Sequence, residues 1–396
     1  MSRYDVIVAG GGSAGLAAAL SAAREGARTL LIERQAALGG MGTNALVHTF
    51  CGLFHPDVSR GPQWLNPGIP TEMGQRLLEL TGQTSPDLMG RVYVLRHQPT
   101  VLAQLAKDLC ARESALTVQT DAHLTAVAPH QEGWRLVING QEVTTKAVVD
   151  TTGDAAVARC LGSEYWRMAP GHRLYRPAYV FSLRGLSAML DDSTRLQVVA
   201  MLVQAVREGL LPRAALGAAL RNSPVAGEVF ITLDLEAGGA DWDPLDPAKT
   251  EALETEGREM AQALWRFLRS HHAVFAGCEA PILPVQAGIR ESARWQGDYV
   301  LTAADLITSR RFEAEAALAG WPLEIRESAR GPKFRYFDKP EPAGIPADCL
   351  RNSALPGVFF AGRCISCDHE ALASVRVMGT CLATGQAAGR LAAGQG

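Results

Sequence analysis

Residues 5–43 read DVIVAGGGSAGLAAALSAAREGARTLLIERQAALGGMGT. Residues 4–9 form a short apolar run closed by glycines, the pattern of a strand buried in a parallel sheet. Residues 13–25 are rich in alanine and stop at Gly26, which predicts a closely packed helix with a glycine end. Residues 29–33 are a second apolar run ending in an acid, Glu33. Strand, helix and strand make a βαβ unit, and the turn inside it, Gly10-Gly11-Gly12-Ser13-Ala14-Gly15, fits G-x-G-x-x-G. In a chain with 39 glycines that pattern alone says little. Its position between strand and helix, with Glu33 18 residues beyond Gly15, makes it a dinucleotide fingerprint. Gly10 permits the tight turn, Gly12 lets a pyrophosphate approach the backbone, and Gly15 lets helix and strand pack closely. The N–H groups of Ser13 and Ala14 open the helix and meet the phosphate charge. Glu33 suits an adenosine ribose and would repel a 2′-phosphate.

The rest of the chain carries further doubly wound character. Residues 102–112 read as a helix and 115–127 contain a strand. Residues 134–138 and 142–149 flank Asn139-Gly140, a hairpin signal. The Gly/Pro-rich stretch 39–70 has little periodicity and reads as a functional loop region. After about residue 162 the texture changes: strands near 179–183 and 228–235, helices near 195–220 and 250–270. Strand, glycine turn and helix return from residue 358 to a helix ending near Gly389.

Composition excludes several classes. The 396 residues, 47% hydrophobic and 20% charged, suit a globular enzyme with large cores. A formal charge of −3 leaves no footprint for nucleic acid or an anionic membrane surface. No apolar run approaches the ~20 residues of a bilayer span. No secretory leader is visible at the start, and the eight cysteines are scattered, so the expected location is cytoplasmic.

The fingerprint does not separate FAD from NAD, but three further stretches do. Residues 5–43 resemble the opening of FAD-dependent oxidoreductases of the glutathione-reductase type. Val148-Val149-Asp150-Thr151-Thr152-Gly153-Asp154 resembles the segment that closes the flavin site in such proteins. GIRESARWQGDYVLTAADL (288–306) and GVFFAGRCISCDHEALASVRVMGTCLATGQAAG (357–389) are similar to one widespread branch of them. The resemblance implies an α/β fold: a discontinuous, Rossmann-like FAD-binding domain (1–162 and 340–396) and an α+β substrate domain on an antiparallel sheet (163–339). It implies FAD held by Gly10, Gly12, Ser13, Ala14, Gly15, Glu33 and Arg34, by Gly40, Met41 and Thr43 of the second glycine loop, and by Gly153 and Asp154. Gly362, Arg363, Met378, Gly379 and Thr380 would complete the site. Many relatives carry an Asp after the glycine of the last strand; here Arg363 stands there and would meet the diphosphate charge directly. The N-terminus of the last helix would face the flavin N1/C2=O edge and stabilise its reduced form.

Several side chains are candidates for chemistry. His369, after the last strand, suits a base or a substrate-orienting group. Arg290 and Arg376 suit a substrate carboxylate or the reduced flavin's charge, with Arg290-Glu291 as an internal ion pair the competing reading. Cys364-Ile365-Ser366-Cys367 is a C-x-x-C, but disulfide reductases of this fold carry their pair near the second glycine loop, where Met41, Gly42 and Thr43 stand. His48 and Cys51 offer a cofactor tether. Trp64, Tyr93, Tyr336 and Phe337 are candidate pocket walls. No metal site is expected, since no second C-x-x-C accompanies the first.

Two readings of function follow. One is a dehydrogenase or oxidase that moves a hydride from a small organic substrate (amine, amino acid or alcohol carbon) to flavin N5, with oxygen, a quinone or a protein as electron acceptor. Its two-domain layout resembles amine and amino-acid oxidases, and no second G-x-G-x-x-G follows a strand. The alternative is an NAD(P)H-dependent flavin reductase or monooxygenase, or an electron-transfer subunit without turnover of its own.

Overall fold

A computed structural model describes residues 2–236, 239–328 and 331–394. The βαβ unit forms as its sequence dictates: strand Ser2–Ala9, helix Ser13–Arg24, strand Thr29–Ile32, the two strands parallel. Among the described residues the largest sheet has seven strands. Its parallel part runs Leu116–Gln119, Thr29–Ile32, Ser2–Ala9, Gln141–Asp150. The long strand Gln141–Asp150 then shares its far edge between two neighbours. Gly133–Ile138 pairs antiparallel along its first half, and Val358–Phe360 pairs parallel with residues 148–150. Asn139 and Gly140, both at positive φ (49° and 76°), close the hairpin as a type I′ turn, the hand that matches strand twist.

The chain's two ends meet on this sheet. Helix Ser13–Arg24 is buried from Ala14 to Ala23 against the last helix, Met378–Ala393. The contact is backbone to backbone: a Cβ on Gly385 would lie 2.1 Å from the Ala14 carbonyl oxygen, and one on Gly389 2.2 Å from that of Ala18. Alanine and glycine here are the price of that approach.

A three-stranded antiparallel sheet forms the second layer: Ala178–Arg184, Glu228–Asp234 and Ala219–Asn222. Alternation divides its faces. Tyr179, Phe181, Leu183, Val229, Ile231 and Leu233 pack against helices Asp192–Arg207 and Pro247–His271. Ala178, Val180 and Thr232 point the other way, into a cavity. Arg221 pairs with Phe230 in register and shares that second face.

Two expectations change. The helix expected near 195–220 ends at Arg207, because Gly209 at φ +74° and then Pro212 stop it. Residues 213–217 make a 3-10 turn and Ala219–Asn222 a strand. The loop region 39–70 contains a short helix, Met41–Asn44, and a strand, Thr49–Phe50, and helix Ile69–Leu80 begins inside it. Thr49–Phe50 pairs with Val92–Arg96, which also pairs with Asp87–Met89. This small sheet joins the two layers: His48 stacks on Phe230 with centroids 4.3 Å apart, and Gln98 bonds Ser223 and Glu228. No helix among the described residues is long and apolar enough to cross a membrane.

Candidate active site

One cavity of about 700 Å³ runs from the glycine loop to the antiparallel sheet. Its first end lies at the carboxyl ends of the parallel strands, where ligands of open α/β sheets bind. Gly10, Gly12, Ser13 and Ala14 line it, with Glu33 and Arg34 from the next strand end. Gly15 lies behind: a Cβ there would sit 1.7 Å from the Gly10 carbonyl oxygen, so its role is the tight packing of the turn. At Gly12 a Cβ would meet only the Gly40 Cα, at 3.8 Å, so the space before the helix N-terminus is open. Glu33 is buried and accepts from the Gly11 N–H at 2.6 Å and the Gln35 N–H at 2.9 Å. The acid thus holds the glycine loop as well as facing the cavity.

Gly153, Asp154, Gly362 and Arg363 close this end. Arg363, expected to meet the diphosphate charge directly, is also held by protein partners. Its Nη2 donates to Asp154 Oδ1 at 2.8 Å and its Nη1 to Ser292 Oγ at 3.0 Å. Ser292 Oγ in turn lies 2.7 Å from Asp154 Oδ1. Burial works to raise the Asp154 carboxyl, but Arg363 and Arg34 beside it outweigh that and hold it below the usual range. Asp150, at the end of its strand, accepts from Thr152, Val157 and the Trp295 indole (2.9 Å) and ties residues 290–295 to the sheet. Burial still raises its carboxyl. No local signal in the sequence marks this bond, since the partners stand 145 positions apart.

Between the ends, Gly40, Met41, His48, Cys51, Val377 and Met378 border the cavity. The last helix starts at Met378, as expected, but only Met378 of its first three residues lines the space. The Gly379 N–H donates to the Cys51 carbonyl at 2.9 Å, and the Thr380 hydroxyl is buried without a partner beside Gly52. Thr43 is also off the cavity, its buried hydroxyl over Gly39. His48 Nδ1 lies 3.3 Å from the Leu46 carbonyl, leaving Nε2 buried and unpartnered. Burial, with Arg221 nearby, pushes this imidazole down to about 3, so it is neutral at ordinary pH. Leu46 itself sits at φ +52°, a strained conformation of the kind that clusters at functional sites.

The second end is charged. Arg221, Arg290, Glu324, Arg326 and Arg376 line it. Arg290 does not pair with Glu291: its Nη2 donates to Asp234 Oδ1 at 2.7 Å, and Arg326 Nη1 donates to Asp234 Oδ2 at 2.8 Å. Arg326 Nε also donates to Glu324 Oε1 at 2.6 Å. Burial would raise Glu324, but Arg326 and Arg376 prevail and bring it down to about 2. Burial pushes Arg290 down to about 10, against the pull of Asp234.

His369 is not on the cavity. It stacks on Tyr175 (4.2 Å between centroids), with Nδ1 2.9 Å from Glu291 Oε2. Burial opposes its charge, but Glu291 and then Glu327 raise the imidazole above its ordinary value. Glu291 also holds Arg294, so the Arg-Glu-Ser-Ala-Arg-Trp stretch is a brace behind the site. Cys364 and Cys367 are free, buried and off the cavity, and burial raises both thiols, Cys367 to about 12. Of the aromatics, Trp64, Tyr93, Tyr336 and Phe337 are elsewhere, and Trp321 and Phe334 line the wall instead. Among the described residues no group of His, Cys, Asp and Glu could hold a metal ion.

The first end fits FAD: an open helix N-terminus, a buried carboxylate for the ribose, and Arg34 and Arg363 beside the phosphate position. A family model described as FAD dependent oxidoreductase matches residues 5–395. The chain belongs to the FAD-dependent oxidoreductase family. FAD is the cofactor of this flavoenzyme, and Gly10, Gly12, Ser13, Ala14, Glu33, Gly153 and Gly362 are the cavity-lining residues that would hold its adenosine diphosphate. Similar solved structures include a geranylgeranyl bacteriochlorophyll reductase-like protein from Thermoplasma acidophilum. It is 14% identical at a TM-score of 0.44, over 100% of this chain and 78% of that one. The anhydrotetracycline hydroxylase OxyS from Streptomyces rimosus is 16% identical at a TM-score of 0.39, over 75% of this chain and 54% of that one. CabE, an aromatic hydroxylase from angucycline biosynthesis, is 15% identical at a TM-score of 0.40, over 75% and 54%. The flavoenzyme spans about half the length of each hydroxylase.

Proposed function

We propose that this flavoenzyme removes a hydride from a small organic substrate, at a carbon bearing an amine or hydroxyl, and passes the electrons to oxygen, a quinone or a protein. Bound FAD supplies the hydride acceptor, its N5. The observation that supports the reading is the cavity that runs from the nucleotide end to the antiparallel sheet, where a substrate would share one space with the cofactor. In that space the chain's work is to orient and to exclude water. Val180, Trp321, Val377 and Met378 give apolar wall, and Arg290 and Arg326 are fixed by Asp234. His48, neutral and with Nε2 unpartnered, offers a hydrogen bond and not a strong base. That suits hydride removal, where position of the C–H decides the rate.

The test is anaerobic. The yellow holoprotein is mixed with amines, amino acids or hydroxy acids, and separately with NADH or NADPH, while flavin absorbance is followed. The reading expects bleaching by a member of the first group and none by the nucleotides. Fast bleaching by NAD(P)H overturns it in favour of a reductase or monooxygenase.

A further inference from the structure

At the antiparallel-sheet end, four guanidiniums (Arg221, Arg290, Arg326, Arg376) face two carboxylates, Asp234 and Glu324. The carboxylates are already committed to Arg290 and Arg326. Arg221 and Arg376 have no carboxylate within 4.0 Å among the described residues. Their neutral partners are weak. Arg221 Nη1 lies 2.8 Å from the Met89 sulfur, a poor acceptor. Arg376 Nη2 donates to the Glu324 main-chain carbonyl at 3.2 Å, its Nε is buried with no partner, and its guanidinium lies 5.7 Å from the Tyr175 ring centroid.

A buried guanidinium with no carboxylate in direct contact is costly, and Glu324 nearby offsets that only in part. Neither arginine sheds its proton to escape that cost, since guanidinium stays charged in proteins. Burial pulls both below their ordinary value; Glu324 opposes this at each and Arg326 adds to it. The wall therefore carries two more positive than negative charges, on forks suited to bidentate oxyanion binding.

We propose that Arg221 and Arg376 form a carboxylate-binding subsite, and that the substrate of this flavoenzyme is a small organic acid whose carboxylate they hold. Asp234 and Glu324 position Arg290 and Arg326 around it. The assignment rests on the reading that this end of the cavity takes the substrate. It goes beyond that reading in naming the substrate's charge and the two side chains that select it. Arg221 reaches the cavity because its strand residue shares the face of Phe230 and Thr232. Arg376 reaches it from the turn before the last helix, just after helix His369–Val375.

The experiment titrates the holoprotein with malonate and succinate, with succinamide and inorganic phosphate as controls, following flavin absorbance and heat. The dicarboxylates perturb the flavin and release heat, and succinamide does neither. Arg221→Met and Arg376→Met each weaken binding about ten- to a hundredfold, the loss expected for one charge-assisted contact. Arg221→Lys and Arg376→Lys keep the charge, lose the planar fork and fall between. They also carry the test if a methionine variant fails to retain flavin. Absence of dicarboxylate binding, unchanged binding in the variants, or binding of phosphate without dicarboxylates overturns the subsite. Bleaching by NADPH with dicarboxylate binding intact would instead sink the hydride-removal reading and leave the subsite standing.

Discussion

At one end of the cavity the contacts are offered mainly by backbone: a glycine turn, a helix N-terminus and one buried acid, Glu33, all within residues 10–33. At the other end they are offered by side chains from separate segments: Arg221, Asp234, Arg290, Glu324, Arg326 and Arg376. The difference follows from what each end must recognise. A diphosphate is met by N–H groups that any residue has, provided no Cβ blocks them, so the solution is local and constrains sequence tightly. A charged substrate is met by long side chains whose origin in the chain is free. Such a site imposes no spacing.

The comparison breaks first at Gly15. With 1.7 Å between a hypothetical Cβ and the Gly10 carbonyl oxygen, Gly15→Ala forces the backbone of the turn to move. The expected outcome is protein that purifies colourless and takes up no FAD in a flavin fluorescence titration, the largest effect foreseen at either end. A yellow Gly15→Ala protein with unchanged affinity would show that the nucleotide end tolerates displacement and is not a backbone site in this sense.

The second end breaks through its counter-ions. Asp234 is buried and takes Arg290 and Arg326, one on each oxygen. Asp234→Asn leaves two guanidiniums short of a negative charge, which costs about 3–5 kcal/mol. A urea unfolding curve on the holoprotein checks this. Added succinate should restore part of the lost stability, because a bound carboxylate supplies the missing charge. A variant that is destabilised and indifferent to succinate would make Asp234 a structural brace with no bearing on ligand.

These contrasts account for what was legible beforehand. The βαβ unit, the hairpin at Asn139-Gly140 and the strand Val358–Phe360 each carry a local signal of alternation, turn residue or glycine placement, and each stands where that signal put it. Arg221 stands out of sight because the stretch near 195–220 reads as helical, with the stop at Gly209 and Pro212 given too little weight. Once the strand is recognised, Arg221 alternating with buried Leu220 falls on the face opposite the helices, with Phe230 and Thr232. Arg290 was named, but its partner Asp234 lies 56 positions away and nothing local distinguishes it from Glu291 next door. His369 was assigned to the flavin by sequence proximity to the last strand. Its side chain instead turns to Glu291 and Tyr175, behind the wall.

The two ends also differ in their response to acid, and this is the smallest of the expected effects. At the nucleotide end Asp154 keeps its charge below the usual carboxylate range, so mild acid leaves it unchanged. At the junction with the antiparallel sheet, burial, helped by Arg221, holds His48 neutral down to about 3, and burial holds His97 neutral down to about 4. An unfolded histidine takes its proton near 6.5. Between that pH and the depressed native values the unfolded chain therefore binds more protons, and stability falls as pH falls. At about pH 5 each imidazole costs about 2 kcal/mol relative to neutrality. His97 Nε2 lies 2.8 Å from the Val47 carbonyl and its Nδ1 is buried without a partner, so His97→Gln keeps a donor there and removes the titrating group. Urea midpoints at neutral pH and at about pH 5 should converge in this variant relative to the parent protein. If they do not, the acid response arises elsewhere and the junction has no special part in it.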